Sequence, residues 1–167
     1  KKLVYATKSG WVLENGALTG NDNPNADPEI LVAIGELATS IGAADITEIE
    51  FITTAFDVSA GGALQVRVRF NEAVDVTGTP QLTVVNDSRA NHTLSYASGT
   101  GSNELVFSLT IAAGGGGVIA EDDELSIGAN ATALNGGTIK DAGTSTVSTI
   151  TNVASIGTAA GTITVTA

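Results

Sequence analysis

Side chains suited to catalysis are few in this sequence. His92 is the single histidine, and the run Asn91-His92-Thr93 has the polar character of a turn. A serine-type triad needs a base held beside a nucleophile, and the sequence around His92 shows no such pairing. The four carboxylates of residues 121–124 (EDDE) offer a general acid and base, but no aromatic-rich segment accompanies them. We therefore predict a solvated turn histidine, a solvated acidic loop and no enzymatic activity.

Calcium binding is the second chemistry that the acidic residues suggest. Ca²⁺ prefers several oxygen ligands supplied by flexible acidic loops. Residues 21–27 (NDNPNAD) and 121–124 form two such loops, and the candidate ligands are Asp22, Asp27, Glu121, Asp122 and Asp123. The alternative is that Asp22 and Asp27 only shape a turn and cap a helix, as Asx side chains do. No other cofactor is indicated, and calcium stays open.

Three residues are candidates for contacts with a protein partner. Trp11 is the only tryptophan, and it suits either a partner contact or a cap over the core of its own unit. Arg67 and Arg69 alternate with apolar residues, which places both side chains on the solvent-facing side of one strand. Because the chain has only seven Lys and Arg residues, we expect this pair to meet acidic groups, within the domain or on a partner.

The composition excludes two classes of partner. Eighteen acidic and seven basic side chains give a net charge of −11, which disfavours nucleic acid and anionic membranes. No apolar run approaches the length of a membrane span. Cysteine is absent, and aromatic residues make up only 4% of the chain, so small and β-branched residues must fill the core.

The first 45 residues are predicted to form an extension made of a hairpin and a short helix. Residues 3–7 and 11–14 have extended character, with a Lys-Ser-Gly turn between them. Asp27 and Pro28 suit a helix start, and apolar residues recur at helical spacing over residues 28–41. A buried strand over residues 30–34 is the rival interpretation, since Ile and Val favour sheets.

From residue 46 onward the chain is predicted to be all β. Gly and Asn turn signals separate eight short extended runs, which is typical of an antiparallel sandwich. Residues 114–117 (GGGG) are predicted to form a flexible loop. The predicted strands cover residues 48–56, 64–70, 81–85, 93–97, 105–112, 124–127, 147–151 and 162–166.

Four segments carry a recognisable pattern: residues 70–80 (FNEAVDVTGTP), 94–101 (LSYASGTG), 105–107 (LVF) and 133–141 (ALNGGTIKD). Together they resemble the immunoglobulin-like repeat of very large bacterial surface adhesins and of some bacteriophage virion proteins. The resemblance implies an immunoglobulin-like antiparallel β-sandwich over residues 46–167. Many roles use this fold, so the resemblance by itself implies no single function.

Two function classes follow from these observations. The first is a non-enzymatic bacteriophage virion protein, a capsid decoration or cement protein that binds the major capsid protein or copies of itself and forms a homo-oligomer. The short length and the absence of a signal pattern at Lys1 favour it. The alternative is a secreted bacterial adhesin or surface-layer module, extracellular or on the cell surface and stabilised by calcium. In both, the first 45 residues are expected to make assembly contacts.

Overall fold

A computed structural model describes residues 4–7, 10–13, 29–33 and 43–167 of the chain. These residues form thirteen strands and one α-helix. The chain divides into two compact units, Lys1–Ile41 and Gly42–Ala167. The elements are β1 (Val4–Thr7), β2 (Gly10–Leu13), β3 (Glu29–Ala33), β4 (Ile46–Phe51), β5 (Phe56–Asp57), β6 (Gly62–Thr77), β7 (Gln81–Asn86), β8 (His92–Ser98), β9 (Ser102–Ile111), β10 (Glu124–Ser126), β11 (Thr132–Ala133), β12 (Thr138–Asp141), α1 (Ala154–Ala159) and β13 (Ile163–Thr166).

The first unit contains a three-stranded antiparallel sheet in the order β1-β2-β3. The β1–β2 hairpin confirms the predicted hairpin, with Tyr5 opposite Val12. The helix predicted over residues 28–41 is wrong for Glu29–Ala33, which pairs with β2 as a strand. The edge strand of the hairpin offers backbone hydrogen-bond partners to this segment, which contains β-branched residues. Strand pairing of this kind outweighs the weak preference for a helix that the spacing of apolar residues indicates. The rest of that prediction lies outside the described residues.

The second unit is built on one curled, mixed ten-stranded sheet. Its main order is β12-β6-β9-β8-β7-β10-β13-β5, with β4 added beside β6 and β11 beside β7. Of the strand pairs in this sheet, the β13–β5 pair is parallel and the others are antiparallel. The inward residues of these strands enclose a core, whose largest fully buried members are Phe107, Ile49, Leu64, Leu82, Leu94, Leu105, Leu125 and Ile139. The mainly β prediction is therefore confirmed.

The long strand β6 organises this sheet. Its apolar residues alternate with polar ones, and Leu64, Val66, Val68 and Phe70 are all buried. One edge pairs with β9, while the other edge pairs first with β4 and then with β12. The sequence predicted only residues 64–70 as a strand, because the polar residues of 71–77 hide the continuation.

Two predicted strands and one helix also differ from the sequence-based prediction. The strand expected over residues 48–56 is two strands, since β4 ends at Phe51 and β5 begins at Phe56. Residues 147–151 form no strand and make only isolated bridges, from Val147 to Lys140 and from Thr149 to Asp45. The short helix α1, which was not predicted, packs near β4. No helix within the described part of the chain has the length and apolarity to cross a membrane.

Candidate functional site

Arg67 and Arg69 lie side by side on the polar face of β6, between β4 and β9. Arg67 Nε donates to Glu50 Oε1 at 2.6 Å, and its Nη1 lies 3.3 Å from Glu104 Oε2. Arg69 Nε donates to Glu104 Oε1 at 2.8 Å, and its Nη1 donates to Glu48 Oε2 at 2.7 Å. The predicted pairing with acidic groups is confirmed within the chain. A role of either arginine in contacting a partner stays a prediction.

The charges of this cluster reinforce one another. The hydrogen bond from Arg69, together with the positive charges of both arginines, holds the pKa of Glu104 below its ordinary value. In turn, the hydrogen bonds to Glu48 and Glu104 raise the pKa of Arg69. Both shifts favour the charged forms of Arg69 and Glu104, and the cluster ties three neighbouring strands together.

A second polar cluster is buried beside β7 and β8 and contains the only histidine of the chain. His92 opens β8 opposite Val84 and is only 4% exposed, so the predicted solvated turn histidine is wrong. Its Nε2 lies 3.3 Å from Nδ2 of Asn86, and Asn86 Nδ2 also donates to Asp123 Oδ2 at 2.9 Å. Asn86 thus stands between the imidazole and the carboxylate, where a triad would require a direct contact.

The acidic loop of residues 121–124 divides into exposed and buried members. Glu121 and Asp122 are exposed, whereas Asp123 is 3% exposed, so the solvated-loop prediction is wrong for Asp123. Asp123 Oδ2 accepts a hydrogen bond from Ala120 N at 2.9 Å and pairs with Arg89 Nε at 3.0 Å. A buried carboxylate is retained when donors surround it, as they do here.

The two titratable groups of this second cluster shift for different reasons. Burial lowers the pKa of His92, and the charge of Asp123 opposes that effect only in part. Burial by itself would raise the pKa of Asp123, but the hydrogen bonds from Asn86 and Ala120 and the charge of Arg89 together hold it below its ordinary value. The cluster therefore contains a neutral histidine and an ionised aspartate near pH 7.

The candidate calcium ligands are not gathered into one site by the described residues. Within that part of the chain, no group of three or more His, Asp or Glu side chains is placed to hold a metal ion. Asp123 turns inward toward Asn86 and Arg89, away from Glu121 and Asp122. Asp22 and Asp27 lie outside the described residues, so their calcium role stays a prediction.

A cleft of about 660 Å³ opens beside the buried cluster. Arg89, His92 and Thr93 line one side of it, and the end of β9 with Val118 lines the other. Residues 115–117 of the glycine segment also line it, and all four glycines of residues 114–117 have φ between 55° and 81°. The predicted loop has a left-handed backbone conformation in this structure, which L residues adopt only at a cost.

Trp11 is the candidate contact residue of the first unit. It lies on the central strand β2 and is 47% exposed, while its neighbour Val12 is 5% exposed. A half-exposed indole on a small sheet has the area and the polar edge that protein interfaces favour. Its role in a contact stays a prediction.

Sequence reasoning missed Asn86 and Arg89, although a signal for the turn is present. Residues 86–88 (NDS) directly follow the predicted strand of residues 81–85, and Asn86 Oδ1 accepts hydrogen bonds from Ser88 N and Arg89 N. An Asn followed by polar residues after an apolar run is typical of such an Asx turn. The pairing of Asn86 with residues 92 and 123 depends on the tertiary fold.

Comparison with known protein families, with curated proteins and with solved structures finds no match to this chain.

Proposed function

We propose that this protein is a non-enzymatic structural component of a bacteriophage virion, a capsid decoration or cement protein that acts through repeated protein–protein contacts. The observation that supports it is the division into two β units, the smaller of which presents a half-exposed tryptophan on its central strand. A small accessory sheet with one aromatic anchor suits docking onto a repeated surface, where many modest contacts add up by symmetry.

The curled sheet of residues 46–167 is, on this proposal, an immunoglobulin-like sandwich. In support, the motif-bearing segments fall on strands that supply the core: Phe70 and Val74 lie on β6, Leu94 on β8 and Phe107 on β9. The later motif contains part of β11 and all of β12, with buried Ile139. These segments are the ones that resemble the repeat of adhesins and virion proteins.

The partners that fit best are the major capsid protein and further copies of this chain. The net charge of −11 speaks against nucleic acid, and the arginines of β6 are already neutralised by their own glutamates. Trp11 is the residue with which we expect the first contact to be made. A homo-oligomer is the expected form in solution.

The solution mass of the purified chain, measured by light scattering with calcium and with a chelator, tests this proposal first. A closed oligomer that chelation leaves unchanged and that Trp11→Ser dissociates is the expected result. Val153→Ser, which removes an exposed apolar side chain from the other unit, is the matched control. An oligomer that survives Trp11→Ser would contradict the assembly role of this residue.

Immunogold electron microscopy of material from the natural source tests the location. Regular labelling of capsids by an antibody against the chain is the result we expect. Labelling of bacterial envelopes, with a monomer that calcium stabilises, would instead support the adhesin or surface-layer alternative. That alternative draws on the resemblance to adhesin repeats and on the two acidic loops.

A further inference from the structure

The cleft beside the buried cluster lies where two neighbouring strands stop pairing. The ladder between β8 and β9 includes Tyr96 opposite Phe107 and ends with Ser95 opposite Ser108. Beyond that pair, Thr93 and Thr110 belong to the two walls of the cleft, and the ladder does not extend to join them. The gap is therefore an opening inside the sheet rather than a groove on its surface.

The backbone of β8 faces into this gap. Thr93 lies opposite Thr83 of β7, and the N–H of Thr83 donates to Ala131 O on the far side of β7. In an antiparallel ladder, opposite residues whose backbone groups point away from each other alternate with hydrogen-bonded pairs. The N–H and C=O of Thr93 consequently point away from β7, toward β9.

The same reasoning applies to β9. Thr110 lies opposite Ala63 of β6, and the C=O of Ala63 accepts a hydrogen bond from Thr53 Oγ1 on the other edge of β6. The N–H and C=O of Thr110 thus point away from β6, toward β8. The backbone donors and acceptors of β8 and β9 therefore face each other across the cleft, where the two strands do not pair.

The lining of the cleft combines apolar surface with one positive charge. Leu109 and Val118 supply apolar area, and Val118 is 52% exposed. Arg89 keeps an exposed side-chain fraction of 40% while its Nε pairs with Asp123. Among the described residues no carboxylate lines the cleft, although the chain as a whole carries 18 acidic residues. Among the described ion pairs Arg89 has one carboxylate partner, whereas Arg67 and Arg69 each have two or more, so Arg89 can pair with a second carboxylate. Charge complementarity therefore favours an occupant with a negative group.

We propose that this cleft binds an extended peptide segment of a partner protein, which adds as a short strand between β8 and β9 and directs a carboxylate toward Arg89. Backbone groups of Thr93 and Thr110 provide the hydrogen bonds, and the apolar wall receives one side chain of the peptide. The inference goes beyond the assembly role, because the site lies wholly on the second unit and does not involve Trp11.

Hydrogen exchange and chemical shifts of the ¹⁵N-labelled full chain test the proposal with the synthetic peptide acetyl-VTVTVD. In the free protein, the amide of Thr110 should exchange much faster than the ladder-paired amide of Ser108. The peptide at millimolar concentration should shift the amides of Thr93 and Thr110 and slow the exchange of Thr110 by about tenfold or more.

Two protein variants and two peptide variants make the test specific. Val118→Asp, which adds a negative charge at an exposed position of the cleft, should weaken binding about tenfold or more. Val153→Asp makes the same change at an exposed site elsewhere and should leave binding unchanged. A peptide ending in Asn should bind less well, and one with a central proline should not protect Thr110.

Three results would overturn the proposal. One is the absence of amide shifts with acetyl-VTVTVD at millimolar concentration. Another is equal binding of the proline peptide, which would mean that side chains rather than strand pairing hold the ligand. The last is protection of Thr110 that rises with protein concentration alone, together with a dimeric mass, which would make a second copy of the chain the occupant.

Discussion

At the scale of single residues, several buried polar side chains are held by specific hydrogen-bond partners. Asn86 illustrates this, because its Oδ1 accepts two backbone N–H groups while its Nδ2 reaches Asp123 and His92. A buried donor or acceptor without a partner costs about 1–3 kcal/mol. Removing one partner of such a hydrogen bond therefore destabilises the fold by more than the bond's net contribution to stability.

His92 should make the stability of the protein depend on pH. The unfolded chain takes up the histidine proton near pH 6.5, but burial lowers the pKa in the folded protein. Below about pH 6.5 the unfolded state therefore binds more protons, and the free energy of unfolding falls as the pH falls. We expect the urea midpoint to drop between about pH 7.5 and 5.5, and to drop less in His92→Gln.

The chain offers a clean setting for this measurement because it contains a single histidine. Asp123 affects stability in a lower pH range than His92 does. Its pKa is also lowered in the folded protein, so its contribution to the free energy of unfolding is lost only as the pH falls through the range in which carboxylates titrate. A parallel loss of stability in His92→Gln and in the parent chain over the same pH range would rule out the histidine as the cause.

At the scale of elements, β6 links three partners and concentrates charge on one face. Its alternation places apolar residues in the core and the arginines on the polar side. Because β4 and β9 flank the strand, the glutamates of both neighbours converge on the same two arginines. A cluster of this kind stabilises more than isolated surface pairs do, since each charge has more than one partner.

Replacing both arginines, as Arg67→Ala/Arg69→Ala, should lower the melting temperature, and more so at low ionic strength. Glu48, Glu50 and Glu104 would then face one another without a counter-charge, and like charges on neighbouring strands repel. Thermal unfolding in low and high salt provides the measurement. The double substitution Arg67→Lys/Arg69→Lys keeps the charge and should lose less, and equal melting temperatures for the parent chain and both double variants would contradict the expectation.

Neighbouring positions in the glycine turn of residues 114–117 require glycine for different physical reasons. A Cβ at Gly115 would lie 2.7 Å from Val58 Cγ2, whereas a Cβ at Gly116 would meet open space. At Gly116 only the left-handed backbone, with φ of 55°, disfavours a side chain.

Substitutions in this turn should therefore follow a definite order. Gly116→Ala should cost about 1–2 kcal/mol of unfolding free energy, because an L residue is strained in the left-handed region. Gly116→Asn should cost less, since Asn tolerates this conformation. Gly115→Ala should cost the most, because a steric clash is added to the strain. Urea unfolding of the three variants checks the order, and equal costs at residues 115 and 116 would contradict it.

At the scale of the whole molecule, the division into two units places the boundary after Ile41, whereas the sequence suggested a domain that begins at residue 46. Ala44 and Asp45, which lie between these two boundaries, contribute to the second unit. Ala44 is fully buried, and its C=O accepts a hydrogen bond from Thr149 N at 2.8 Å. Asp45 exchanges hydrogen bonds with Asn71, through its N–H to Asn71 Oδ1 and through its C=O to Asn71 N.

Two truncations should separate these boundaries. A chain of residues 42–167 should keep a cooperative fold with the stability of the second unit. A chain of residues 46–167 should be less stable by about 3 kcal/mol, since three hydrogen bonds worth about 1 kcal/mol each are lost together with buried Ala44. Denaturant unfolding monitored by circular dichroism distinguishes the two, and identical midpoints would place Ala44 and Asp45 outside the cooperative unit.

Local pattern alone determined the mainly β character, the β1–β2 hairpin and the pairing of Arg67 and Arg69 with acidic groups. The mainly β character and the solvent-facing side of the arginines follow from the period-two alternation of a strand, which assigns each side chain to the core face or the solvent face. The hairpin follows from the Lys-Ser-Gly turn signal, and the pairing of the arginines follows from the scarcity of basic residues in an acidic chain. The apolar residues that alternate with the arginines, such as Val66 and Phe70, are buried.

Only the tertiary structure decided the features that depend on distant segments. Glu29–Ala33 pairs as a strand because a hairpin edge is available, and residues 147–151 have no strand partner beyond two bridges. His92 is buried beside Asn86, within the electrostatic reach of Asp123. The cleft between β8 and β9 likewise arises where two ladders diverge. These features depend on strand pairing between segments that are far apart in the chain. The local pattern of residue types does not determine which segments will pair.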